Sequence, residues 1–164
     1  KLAPDTVTCS AAIKACSDGQ HGRQVLKLVQ HMRRERLALN VIIYSAAISA
    51  CERGKQCVEA LTLLQDMKHD AVLPNSIIYN AAVSMCVHGE QWLQALDLLE
   101  CMRKDTIKRD VITYSAAIKA CWKGQKWVHA FHLLQQMRQG GIMPNVITYS
   151  TALSACEKGK QWAR

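Results

Sequence analysis

The sequence predicts an all-α protein, a right-handed α-solenoid of stacked helix-turn-helix hairpins. Three observations predict it: an internal repeat with an unvarying 35-residue step, apolar residues at helical period within each repeat, and Gly or Pro where the periodic segments end. Tyr-Ser-Ala-Ala-Ile begins at Tyr44 and again at Tyr114, with Tyr-Asn-Ala-Ala-Val at Tyr79, Tyr-Ser-Thr-Ala-Leu at Tyr149 and Cys-Ser-Ala-Ala-Ile at Cys9. The array 1–164 therefore divides into repeats 6–40, 41–75, 76–110 and 111–145 and a partial repeat 146–164. Repeats 41–75 and 111–145 share 18 of 35 residues without a gap, far above chance. Gly19, Gly54, Gly89, Gly124 and Gly159 keep one register, as do Cys16, Cys51, Cys86, Cys121 and Cys156, and Met32, Met67, Met102 and Met137. Pro4, Pro74 and Pro144 share a further slot, which Leu39 and Arg109 fill in the other repeats.

Within one repeat, Tyr44, Ala47, Ile48 and Cys51 fall at i, i+3, i+4 and i+7, one apolar face of a first helix. Gly54 is expected to supply a left-handed stop. Val58, Leu61, Leu64 and Met67 then define the apolar face of a second helix, and Pro74 keeps that helix from running into the next repeat. Two short helices cannot bury their apolar faces alone, so consecutive hairpins must stack into an inner and an outer layer. Trp92, Trp127 and Trp162, with Cys57 in the same slot, stand where the second helix begins and read as hairpin packing, not as a ligand box.

Composition narrows the function classes. Apolar residues make up 49% of the 164, enough for a core, and no uninterrupted apolar run is long enough to span a membrane. Lys and Arg exceed Asp and Glu by 21 to 13, a net +8, which points to a polyanionic partner, nucleic acid first and an acidic membrane surface second. Aromatics are only 5%, which argues against an aromatic-lined pocket for a small molecule. The chain begins without Met and stops mid-pattern with no polar capping repeat, so it reads as a fragment of a longer chain whose targeting segment is out of view.

Five of the eight cysteines recur at 35 residues on the predicted buried face. Helices pack about 8–10 Å apart, too far for most disulfides, and no C-x-x-C pair or zinc-spaced cluster occurs, so these are small buried hydrophobes with no metal site. Free thiols fit a reducing compartment. Cys9, Cys57 and Cys101 stand outside the series. None of the six histidines (His21, His31, His69, His88, His129 and His132) occupies a repeated slot, and His129 and His132 read as solvated. Asp97 and Glu100 read as charged helix surface. With no nucleophile elbow, phosphate-binding loop or deaminase signature, the sequence makes no case for catalysis or for a cofactor.

The 35-residue hairpin V-I-x-Y-S-x-A-I-x-A-C-x-x-G-x-x-x-x-A-L-x-L-L-x-x-M followed by a terminal Pro-Asn resembles the pentatricopeptide repeat (PPR) family, over essentially the whole chain. The 34-residue tetratricopeptide repeat carries a different pattern. The resemblance implies single-stranded RNA as partner, one base per repeat, in a mitochondrion or chloroplast, with other proteins of an organellar complex as further candidate partners. It implies that each base is read by the residue after the Tyr and the last residue of the same repeat: Ser10 with Asn40, Ser45 with Asn75, Asn80 with Asp110, and Ser115 with Asn145. Ser150 begins a fifth pair, and Asp5 ends one whose start is missing. The implied sequence is 5′-A-A-U-A-3′, with Val7, Ile42, Ile77, Ile112 and Ile147 sandwiching the bases. An Asn amide can meet the amino group and ring nitrogen of adenine, and the Asp110 carboxylate can accept from the imide N–H of uracil. Asn after Pro and Ser near a helix start are also ordinary turn and cap chemistry.

Lys14, Arg53, Lys119, Lys123 and Lys158 are expected to rim the inner groove and meet phosphates, although Asp18 and His88 interrupt that stripe. Arg33, Arg34 and Arg36 form a basic cluster at the end of a second helix, read as a solvated outer edge. Cys9 in place of Tyr, and Leu39 and Arg109 in place of Pro, are departures that bear on the geometry of repeats one and three. Four readable repeats predict weak RNA binding by this chain alone. The sequence thus supports an RNA-reading module for organellar RNA processing, stability or translation. The alternative is a non-enzymatic structural subunit of a ribosome or other large assembly; an enzyme would need a further catalytic domain.

Overall fold

The computed structural model describes residues 11–13, 22–54, 56–88 and 91–158, with no side-chain detail for the last three. Among these residues there is no strand, and eight helices of 13 residues each follow one another: α1 (Gly22–Arg34), α2 (Val41–Arg53), α3 (Cys57–His69), α4 (Ser76–His88), α5 (Trp92–Lys104), α6 (Val111–Lys123), α7 (Trp127–Gln139) and α8 (Val146–Lys158). The fold is all-α, built of the predicted hairpins. The chain forms two compact units, Lys1–Ala81 and Ala82–Arg164, that divide within α4. In the N-terminal unit α2 packs on both α1 and α3; in the C-terminal unit α6 packs on α5, α7 and α8, and α7 also meets α8. α2 and α6 thus each touch their own partner helix and the preceding second helix. No described helix is long and apolar enough to cross a membrane.

The last residue of each repeat starts the next. Asn40 is extended (φ −125°, ψ 172°) and its Oδ1 accepts the Ile43 N–H at 3.0 Å, capping α2. Asn75 accepts from Ile78 at 3.0 Å and Asn145 from Thr148 at 2.8 Å. Asp110 forms a full capping box with Thr113 at the head of α6. Such a cap contributes about 1 kcal/mol. The second helices α3 and α7 begin at Gln56 and Lys126 with no side-chain cap.

The expected left-handed glycine stop is corrected by the structure. Gly54 and Gly124 have φ of −79° and −74°, in the right-handed region. After α6 the left-handed residue is the next one, Gln125 (φ 57°), and the Lys126 N–H returns to the Cys121 carbonyl at 2.8 Å. Gly124 is needed for space, because a Cβ there would lie 2.5 Å from Cδ1 of Trp92. The second helices end in the same turn, with Arg36, Ala71, Thr106 and Gly141 at φ of 54°, 56°, 55° and 71°. Each is followed by an N–H that reaches back five residues, from Leu37 to Met32, Val72 to Met67, Ile107 to Met102 and Ile142 to Met137. Leu39 and Arg109 therefore follow the same turn as Pro74 and Pro144, and the missing prolines do not alter it.

Tyr44, Ala47, Ile48 and Cys51 are all fully buried, as their spacing predicts. The second-helix face needs a correction: Cys57, Ala60, Leu63, Leu64 and Met67 are buried, whereas Val58 is 63% exposed. Steps of three fall short of a full turn and drift around the helix, while 57, 60, 64 and 67 alternate three and four and stay on one face. Cys57 is thus a core residue. Burial pushes the Cys51 thiol up to about 12 and the Cys121 thiol up to about 11. Neither forms a disulfide, nor do Cys57, Cys86 and Cys101. Trp92 packs against the following repeat as well as heading its own helix: its ring lies 5.0 Å from that of His129 and 5.2 Å from the Lys126 ammonium. His129 is accordingly a packing partner of Trp92 and not merely solvated.

Arg33 departs from a solvated edge in the same way. It pairs with Asp66 and, at 3.3 Å, with Asp70, whose other oxygen accepts the Tyr44 hydroxyl at 2.6 Å. This clamp joins α1, the end of α3 and the buried Tyr of α2.

Candidate nucleic-acid interface

The caps that start the first helices also place the residues named as base readers. Asn40, Asn75 and Asn145 are exposed, and each commits its Oδ1 to a backbone N–H one turn on. The Asp110 Oδ1 is held by both the N–H and the hydroxyl of Thr113, each at 2.8 Å. Two residues after each cap stands a branched aliphatic side chain that the fold leaves in water. Ile42, Ile77, Ile112 and Ile147 are 72%, 66%, 62% and 67% exposed, while the residues immediately after them are buried. A helix that buries the residue after the Ile has no folding use for the Ile itself.

The partners named for the caps lie on the first helices. Ser45, Asn80 and Ser115 are half-buried, and Ser150 is exposed, its hydroxyl donating to the Ile147 carbonyl at 3.0 Å. Within the N-terminal unit the structure places Ser45 on α2 and Asn75 at the head of α4. Within the C-terminal unit it connects Ser115 to Asn145 through one side chain: the Ser115 and Thr148 hydroxyls are 2.7 Å apart, and the Thr148 hydroxyl is 2.8 Å from the Asn145 Oδ1. Thr148 is fully buried. Sequence reasoning missed it. The available signal was a slot that holds Thr8, Thr113 and Thr148 but Ile43 and Ile78.

Of the expected phosphate contacts, Arg53 and Lys119 are exposed and Lys123 is half-buried, the first and last at the ends of α2 and α6. Lys119, Trp122, Ser150, Thr151 and Ser154 line a shallow cavity of about 210 Å³ between α6 and α8, so a cation stands beside Ser150 of the next repeat. Val7, Ser10 and Lys14 lie outside the described residues, as does the side chain of Lys158.

Models of the pentatricopeptide repeat domain match residues 1–55, 27–89 and 97–158, and a PPR repeat model matches 77–107. The chain belongs to the pentatricopeptide repeat family. Comparison with curated protein sequences gave no match. Among solved structures, maize PPR10 is 24% identical with a TM-score of 0.72, over 98% of this chain and 23% of its own. A structure of PPR10 in complex with an 18-nucleotide psaJ RNA element is 20% identical with a TM-score of 0.75, over 96% of this chain and 23% of that one. The PPR domain of Arabidopsis thaliana protein-only RNase P 1, in complex with tRNA, is 16% identical with a TM-score of 0.82, over 96% of this chain and 83% of that one. This PPR chain therefore spans about a quarter of PPR10, and the likeness at these identities is one of fold.

Proposed function

We propose that this PPR chain binds single-stranded RNA and reads one base per repeat, with 5′-A-A-U-A-3′ as the preferred sequence over Ser10/Asn40, Ser45/Asn75, Asn80/Asp110 and Ser115/Asn145. The observation that carries the reading is the recurrence, four times at 35 residues, of an exposed Ile two places after the Asn or Asp that caps a first helix. An apolar surface beside a hydrogen-bonding group is what an unstacked base needs: a face to lie on and an edge to pair with. Arg53, Lys119 and Lys123 supply cations for the backbone, consistent with the net charge of +8. The RNA complexes of PPR10 and of the RNase P 1 PPR domain support the same partner class. The process served is organellar RNA processing, stability or translation.

Fluorescence anisotropy with labelled A-A-U-A RNA, competed by A-A-C-A and U-U-A-U at several salt concentrations, tests this. Preference for A-A-U-A that moves when Asn80 and Asp110 are exchanged for a Ser/Asn pair is the expected result. Equal binding to all three with a steep salt slope reduces the function to electrostatic affinity. No binding at low salt would favour a structural role in a larger assembly.

A further inference from the structure

Repeats two and four carry the same reading letters, Ser and Asn, yet their hydrogen-bonding states differ. At Asn145 the amide orientation is settled by the Thr148 N–H, which can only donate, so the atom 2.8 Å away is the carbonyl Oδ1. The Thr148 hydroxyl, also 2.8 Å from that oxygen, must then donate to it. A hydroxyl has one hydrogen. With that hydrogen committed, Thr148 Oγ1 can only accept from Ser115, 2.7 Å away, so Ser115 donates. The chain of donation runs from Ser115 through Thr148 to Asn145. Both lone pairs of the Asn145 carbonyl are taken and the hydrogen of Ser115 points inward. What remains for a ligand is an acceptor at Ser115 Oγ and donors at Asn145 Nδ2.

In repeat two the corresponding residue is Ile78, which has no hydroxyl. Among the described residues Asn75 Oδ1 accepts only the Ile78 N–H, at 3.0 Å, which leaves it a lone pair. Among the described residues no hydrogen bond commits the Ser45 hydroxyl to donate or to accept. That pair can present either polarity.

We infer that Thr148 is a specificity-determining residue that fixes the donor-acceptor polarity of the Ser115/Asn145 pair, so that this repeat selects bases with an amino group over bases with a keto group. Adenine and cytosine present an amino donor beside a ring-nitrogen acceptor, which match the Ser115 acceptor and the Asn145 donor. Guanine and uracil present a carbonyl beside an N–H, and in the same register acceptor faces acceptor and donor faces donor. The Thr148 side chain is fully buried, so it acts through the two readers and touches no base itself.

The inference rests on the RNA-reading function, and the test separates the two. The full chain is titrated with RNAs varied at the fourth base or at the second base, comparing A with G and C with U so that ring size is held constant. The expected result is a fourth-base preference for A over G and for C over U of about tenfold, larger than at the second base. Thr148→Val keeps the shape and removes the hydroxyl; it should flatten the fourth-base preference and leave the second-base profile unchanged. Thr148→Ser restores the hydroxyl and should restore the preference, which excludes a mere folding defect. A fourth-base profile unchanged in Thr148→Val overturns the inference while RNA reading stands. No RNA binding by the unaltered chain overturns the reading and the inference with it.

Discussion

The junction after α3 in the N-terminal unit and the junction after α7 in the C-terminal unit both lead to a Pro-Asn cap and both serve a Ser on the preceding first helix. Their supports are opposite. In the N-terminal unit the hairpin is clamped, with the buried Tyr44 hydroxyl on Asp70 and Asp70 on Arg33, while among the described residues no hydrogen bond links the proposed reading pair Ser45/Asn75. In the C-terminal unit Gly140 stands where Asp70 does, and the guanidinium of Arg109 lies 5.4 Å over the Tyr114 ring, so no carboxylate clamp forms there. The proposed reading pair Ser115/Asn145 is instead linked through Thr148. Identical letters at two positions therefore do not specify identical chemistry; the residue buried behind them decides what they offer.

The largest expected effect comes from removing the N-terminal clamp. Asp70→Ala leaves the Tyr44 hydroxyl buried without an acceptor, which costs about 1–3 kcal/mol, read as a lower midpoint in urea. Thiol labelling localises the loss: Cys51 and Cys121 occupy the same slot in the two units and both thiols are held protonated by burial, so they react with an alkylating agent only on opening. Labelling of Cys51 should accelerate in the variant and that of Cys121 should not. The clamp also has a pH signature. The Tyr44 hydroxyl bond, aided by Arg33, holds the Asp70 carboxyl below its ordinary value. Its unfolded form takes up a proton first, so the contribution is full above about pH 4 and is lost as pH falls through the lower folded value. The stability difference between the chain and Asp70→Ala should shrink accordingly.

Most of the fold was legible because repetition turns weak local signals into strong ones. The 35-residue step, the hairpins, and the buried face of Tyr44, Ala47, Ile48 and Cys51 all follow from periodicity. What was misread had no such signature. Gly54 and Gly124 were expected at a left-handed turn, but a glycine can mark either a special φ or a close approach, and only the position of the Trp92 ring shows that Gly124 is the second. The exposed side of Val58 was misplaced because apolar residues on two faces of one helix look alike in a sequence. At the interface, the residues named as readers come from the family pattern, whereas Thr148 went unremarked: a slot that alternates between Thr (Thr8, Thr113, Thr148) and Ile (Ile43, Ile78) reads as interchangeable β-branched packing until the Thr148 hydroxyl is seen between Ser115 and Asn145.

A transplant of that hydroxyl is the next largest effect. Ile78→Thr gives the second repeat the side chain that locks the fourth, and should raise second-base discrimination between A and G by several-fold, toward about tenfold. Circular dichroism checks that the helices persist, since a buried Ile is lost. A second-base profile that stays flat in a folded variant would mean that the two sites differ for some other reason than the buried side chain.

The smallest effect concerns the turn that delivers each cap. Ala71, at φ 56°, and Gly141, at φ 71°, occupy the same left-handed position four residues before Asn75 and Asn145. An L-residue pays about 1–2 kcal/mol for that conformation, and glycine loses about 0.4–1 kcal/mol more chain entropy on folding. The conformational term is the larger, so Ala71→Gly should stabilise the protein by about 0.5–1 kcal/mol and Gly141→Ala should destabilise it by a similar amount. A Cβ on Gly141 would meet nothing within 4 Å, so the second change isolates the backbone cost from any clash. Paired thermal melts read the two signs. If both changes lower the midpoint, the Ala71 side chain contributes packing that outweighs its strained backbone, and the two junctions differ in one more respect than their reading pairs.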